Sequence, residues 1–143
     1  MKKNTNSTIE TISLGKEITN NLKGGDILTL TGELGTGKTT LTKGIAQGLN
    51  IKENITSPTF TLLNIYNINL KESNIKHLVH IDTYRLENEI DLIEIGIEDY
   101  LGASDTVCLI EWPEKIKNLL KNKKTIDIKI KHLGENKREI EIN

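Results

Sequence analysis

The clearest periodicity in the chain lies near its end, where apolar and polar residues alternate. Ile126, Ile128 and Ile130 share one face of an extended segment, and Ile140 and Ile142 share one face of another. Leu133, Gly134, Glu135 and Asn136 lie between them, a run that predicts a β-hairpin. The start of the chain carries the helical period instead. Ser7 and Glu10 stand three apart and read as a capping box, with Ser7 capping the helix and Glu10 reaching back to it. Leu14, Ile18 and Leu22 follow at intervals of four, which predicts a helix to about Leu22, ended by Gly24 and Gly25. Short apolar runs at 26–31, 59–66, 77–81 and 106–110 read as strands, the middle two pairing across the polar loop 67–76. Further helices are predicted over 38–49 and 113–120, the latter with Pro113 in its first turn. Residues 88–101 predict one or two short acidic helices interrupted near Gly96.

One segment breaks from this patterning. Gly32, Gly37, Lys38 and Thr39 fit G-x-x-x-x-G-K-[ST], the P-loop. Glycines let the backbone curl until successive N–H groups point inward, and the following helix N-terminus adds positive potential. Lys38 would reach the β- and γ-phosphates, and the Thr39 hydroxyl would bind Mg²⁺. At ordinary glycine frequencies, a random chain of this length holds the pattern well under ~1% of the time. Here it also follows a predicted strand and opens a predicted helix, the context it requires. A P-loop needs a carboxylate at the end of a neighbouring strand, and Asp82 and Glu111 each close an apolar run. Metal binding and positioning of the attacking water are open to either acid. Thr59, after Ser57 and Pro58, reads as a switch that meets the γ-phosphate or as plain turn chemistry. The fold class expected is α/β: a three-layer P-loop NTPase-like fold with a mixed, mainly parallel sheet and a C-terminal β-hairpin, residues 1–143 forming one domain.

Composition narrows the chemistry. Net charge is −1, but residues 1–81 carry +3, 82–111 carry −8 and 112–143 carry +4. The acidic middle excludes broad electrostatic binding of DNA or RNA and reads as a solvated face or as a surface for a basic partner. Apolar runs are too short to cross a membrane. The N-terminus leads into no apolar stretch, so no secretory signal is expected, and the single cysteine, Cys108, suits the cytoplasm. Cys108 lies in an apolar run and reads as core rather than nucleophile, and His80 as a packed residue rather than a zinc ligand. Near-matches to GTPase motifs at Asp99 and Asn136 fall in the wrong context. Only Arg85 and Arg138 are arginines, so the arginine-bearing lid of a P-loop kinase has no obvious counterpart. Arg85 reads as a phosphate contact or as a partner of the acidic segment.

Taken in order, residues 32–40, 57–62, 80–85, 96–100 and 109–113 resemble the TsaE (YjeE) family of small bacterial ATPases. The resemblance runs over about residues 7–120 and weakens in the last hairpin. It implies a Mg²⁺-dependent ATPase that acts with TsaB and TsaD to support threonylcarbamoylation of the adenosine next to the tRNA anticodon. TsaE does not itself transfer the group, and tRNA is met only through the complex. Carried over, Gly35, Thr36, Gly37, Lys38, Thr39 and Thr40 bind the phosphates of ATP, and Thr39 and Glu111 ligate Mg²⁺. Lys38, Asp82 and Thr59 serve catalysis, Thr8 lies near the base, and Trp112 lies near the site or partner surface. A small-molecule P-loop kinase is the alternative.

Overall fold

A computed structural model describes residues 1–58 and 62–143. Seven strands form one sheet in the order β1-β7-β6-β2-β5-β4-β3. They are β1 (Lys2–Thr5), β2 (Ile27–Thr31), β3 (Leu63–Asn67), β4 (His77–Asp82), β5 (Thr106–Glu111), β6 (Thr125–His132) and β7 (Arg138–Ile142). The central four, β6, β2, β5 and β4, run parallel, while both edges are completed antiparallel. Parallel central strands are covered on both faces, which is why β5 is buried at every position and reads as an unbroken apolar run.

Helices α1 (Thr8–Thr19) and α2 (Lys38–Gly48) lie on one face. Leu14, Ile18, Leu41 and Ile45 pack there on Leu28, Leu30, Leu78 and Leu109. The opposite face is covered by shorter pieces: α3 (Ile90–Glu94), α4 (Lys117–Leu120) and single 3₁₀ turns at Ile97–Asp99 and Pro113–Ile116. Their core gathers Val79, Ile81, Leu92, Ile97, Cys108, Ile110 and Ile116. The result is the expected three-layer α/β architecture. The C-terminal hairpin forms as its alternation requires, with Ile128, Ile130 and Ile140 buried in the α1–α2 core.

Several local expectations are corrected. Ser7 does cap α1, its hydroxyl accepting from the Glu10 N–H at 3.1 Å. Glu10, however, reaches back to the N–H of Asn6 at 2.7 Å rather than to Ser7. The helix ends at Thr19, because Asn20, Asn21 and Leu22 donate three residues back instead of four. Residues 113–120 are not one helix. Trp112 sits in the left-handed region (φ 59°) and Ile116 leaves helical geometry, so a 3₁₀ turn and a single α-turn replace it. The strand expected over 59–66 is observed as Leu63–Asn67, and Thr59, Phe60 and Thr61 lie outside the described residues. Strand β1 has no signal in its polar sequence. It is held by backbone pairing to β7, by a Lys2–Glu139 ion pair at 2.9 Å and by a buried Thr5–Thr11 hydroxyl contact at 2.8 Å. Among the described residues, no helix is long and apolar enough to cross a membrane.

Candidate active site

The loop between β2 and α2 is shaped by what its residues cannot carry. A Cβ on Gly32 would stand 2.7 Å from the Ile130 carbonyl oxygen, so only glycine lets the loop pass β6 this closely. Gly37, the residue before α2, has φ 104°, a left-handed conformation that strains any side-chain-bearing residue. The Thr36 hydroxyl donates to the Glu33 carbonyl at 2.8 Å. Lys38 folds back over the loop, its Nζ donating to Gly32 O at 2.6 Å and Glu33 O at 2.8 Å. The same ammonium lies 4.7 Å from the centre of the Trp112 ring, a cation–π distance. Burial lowers the Lys38 pKa, and Glu111, Asp82 and Glu114 oppose that shift.

Parallel pairing delivers the acids. Asp82 at the end of β4 is the register partner of Glu111 at the end of β5. Lys38, Thr39, Thr40, Asp82, Glu111 and Trp112 line one pocket of about 360 Å³, with Gly35 and Gly37 in its floor. A larger groove of about 530 Å³ lies between β6 and residues 113–121, but the loop lysine and paired acids are absent from its walls, so the chemistry belongs to the smaller one. The two carboxyls are not equivalent. Burial raises the Asp82 pKa, and the neighbouring Glu111 adds to the rise against the Tyr84 N–H, which donates to it at 2.9 Å. Burial would also raise Glu111, but His80, Asp82 and Lys38 outweigh it and hold that carboxyl below its ordinary value. The pocket joins the Lys38 ammonium, at the start of α2, to the adjacent carboxyls of Asp82 and Glu111. That set suits a polyphosphate with a hard cation. No group of three or more His, Cys, Asp or Glu side chains that could hold a metal ion forms among the described residues. Glu111 is 3% exposed, and its Oε1 has no hydrogen-bond partner among the described residues.

Thr8 meets the loop from the other side, lining a small pocket with Thr11, Gly37, Thr40, Asn136 and Arg138. Thr59 lies outside the described residues. Cys108 is core as expected, its thiol pushed up to about 12 by burial. His80 is packed at 1% exposure, and Arg85 is exposed, with no ion pair to the acidic segment among the described residues. The sequence reading passed over Arg138. Its Nε donates to Thr36 O at 2.6 Å, and its Nη1 to the carbonyls of Gly134, Glu135 and Lys137. The last strand thus braces the phosphate loop from 102 residues away. The one available signal was scarcity, since Arg138 is one of only two arginines.

Residues 5–140 match the family model described as threonylcarbamoyl adenosine biosynthesis protein TsaE. The chain belongs to the TsaE family. A TsaE relative from Bacillus subtilis is 40% identical over 131 residues, covering 92% of this chain and 77% of the relative. One from Treponema pallidum is 38% identical over 136 residues, covering 95% of each. Both bear the name tRNA threonylcarbamoyladenosine biosynthesis protein TsaE. The crystal structure of Bacillus subtilis YdiB superposes with a TM-score of 0.76 at 36% identity, covering 99% of this chain and 83% of that one. The TsaE match takes in β6 and Arg138, so it reaches beyond the residue-120 limit of the motif resemblance.

Proposed function

We propose that this TsaE-family chain is a Mg²⁺-dependent ATP hydrolase that works in the cytoplasm with TsaB and TsaD. It supports, without performing, transfer of threonylcarbamoyl to the adenosine next to the tRNA anticodon. The observation that carries the reading is convergence: the P-loop lysine, Thr39 and two strand-end acids line one pocket. In this reading the N–H groups of 35–40 and Lys38 hold the β- and γ-phosphates of ATP. Thr39 and Glu111 would hold the metal, and Glu111 suits the task because its surroundings hold its pKa below the ordinary value. Mg²⁺ supplies neutralisation of the charge that builds on the transferring phosphoryl oxygens. Asp82, whose environment favours the proton, orients the attacking water and accepts its proton. Thr59 acts as a switch at the γ-phosphate, and Thr8 lies toward the base.

Hydrolysis by the chain alone is slow in this reading. Arg138 is spent on backbone carbonyls and Arg85 stands outside the pocket, so neither is poised as an arginine finger. The partners supply what is missing. One observation favours the alternative, a small-molecule P-loop kinase. A second pocket of about 210 Å³, walled by Leu34, Pro58, Leu62 and Arg85, shares Asp82 with the first. The test is phosphate release from ATP with and without TsaB–TsaD, with Lys38→Ala as the blank. Strong stimulation by the pair, abolished in Lys38→Ala, supports the partner-gated ATPase. Absence of stimulation, with tRNA present or not, sinks it and directs the search to small phosphate acceptors.

A further inference from the structure

Among the described residues, three buried side-chain atoms lack a hydrogen bond: both ring nitrogens of His80 and Oε1 of Glu111. Buried polar atoms are satisfied as a rule, so a cluster of three exceptions asks for a cause. Two of the three face each other. His80 Nε2 lies 3.9 Å from Glu111 Oε1, beyond a hydrogen bond but about 1 Å from making one. Strand alternation places His80 on the same face as Leu78 and Asp82, with Leu109 as its register partner. Leu78 and Leu109 belong to the core under α2, so His80 packs on apolar side chains there, with Asn64 of β3 as its register partner on the other side. A leucine there would fill the pattern and leave no orphan nitrogens. The histidine is therefore not explained by packing.

We propose that His80 is a positioning residue for Glu111. An N–H on Nε2 directed at Oε1 keeps the carboxylate turned to the pocket it lines with Thr39. Outer partners of this kind fix the orientation of metal-binding carboxylates, and their loss costs roughly 10–100-fold in metal affinity. The inference rests on the reading of Glu111 as the Mg²⁺ ligand.

The experiment titrates Mg²⁺ against ADP binding in wild type, His80→Leu and His80→Gln, with a thermal melt of each ligand-free protein. Glutamine offers an amide N–H near the imidazole Nε2 position. His80→Leu should melt at or above the wild-type temperature and bind ADP without Mg²⁺ as wild type does. It should need about 10–100-fold more Mg²⁺ for the tight complex. His80→Gln should recover most of that loss. In ligand-free wild type, the ¹⁵N resonances of the assigned His80 ring should report the Nε2–H tautomer, a readout that needs no variant. A folded His80→Leu with the wild-type Mg²⁺ requirement, a glutamine no better than leucine, or the Nδ1–H tautomer overturns the inference alone. Wild-type ADP binding that ignores Mg²⁺ overturns the metal reading of Glu111 and this inference with it.

Discussion

Asp82 and Glu111 end paired strands side by side, yet their environments drive their protons in opposite directions. Asp82 binds a proton more tightly folded than unfolded. Its contribution to stability is thus full at low pH and is lost as pH rises through its folded pKa. Glu111 has the opposite sign: its contribution is present above its unfolded pKa and is lost as pH falls through the folded one. Two consequences follow at the residue scale. Asp82→Asn removes a carboxyl whose charged form burial disfavours, so its melting temperature should rise by a few degrees, at ~2–4 °C per kcal/mol relieved. Hydrolysis of ATP should fall by at least about 10²-fold in the same variant. The wild-type rate should also decline on acidification, with a midpoint above the ordinary aspartate value of 3.8. A pH–rate profile checks this. The residues of this pocket were unevenly legible in the sequence. Lys38 and Thr39 are fixed by local spacing, and Asp82 and Glu111 by their places at the ends of apolar runs. Arg138 has no such marker, because it reaches the pocket through a strand pairing that no local pattern encodes.

At the scale of elements, α1 and α2 were legible as helices but their closeness was not. Gly15 of α1 and Gly44 of α2 face each other so tightly that side chains are excluded. A Cβ on Gly15 would stand 2.6 Å from Leu41 O, and one on Gly44 would stand 2.3 Å from Ile12 O. Periodicity shows which face a helix buries, but not that its neighbour's backbone lies against it. Helix propensity alone predicts that Gly15→Ala stabilises by about 0.5–1 kcal/mol. The contact decides otherwise: overpacking should destabilise by about 1–3 kcal/mol. Chemical denaturation of Gly15→Ala, compared with alanine at the exposed Ile9 of the same helix, measures the sign.

Across the whole molecule, the sheet has a well-built face and a patched one. Two multi-turn helices cover the first, while single turns cover the second. The fold class was readable from the order of strands and helices, since apolar runs alternating with helices require a parallel centre. The edge order was not. The chain ends meet in β1–β7, with the Met1 amine donating to Ile142 O at 2.6 Å, and this zipper carries Arg138 to the phosphate loop. Arg138→Gln should therefore act on the loop rather than on the core. Backbone amides of 33–37 should exchange faster with solvent and ADP should bind about 10-fold more weakly, while the α2 amides keep their protection. Unchanged exchange in the loop would deny the brace its role.

That brace also orders events in time. A ribosome releases the phosphate loop early, when roughly a quarter of the chain exists, and the arginine that holds it about a hundred residues later. At about 5–20 residues per second, the loop spends about 5–20 seconds without its support. A nascent or truncated chain ending before β7 thus displays the full P-loop motif without the arginine that braces it. Nucleotide affinity should mark a finished molecule, and a pulse of ADP during synthesis would find its site only once the last strand has emerged.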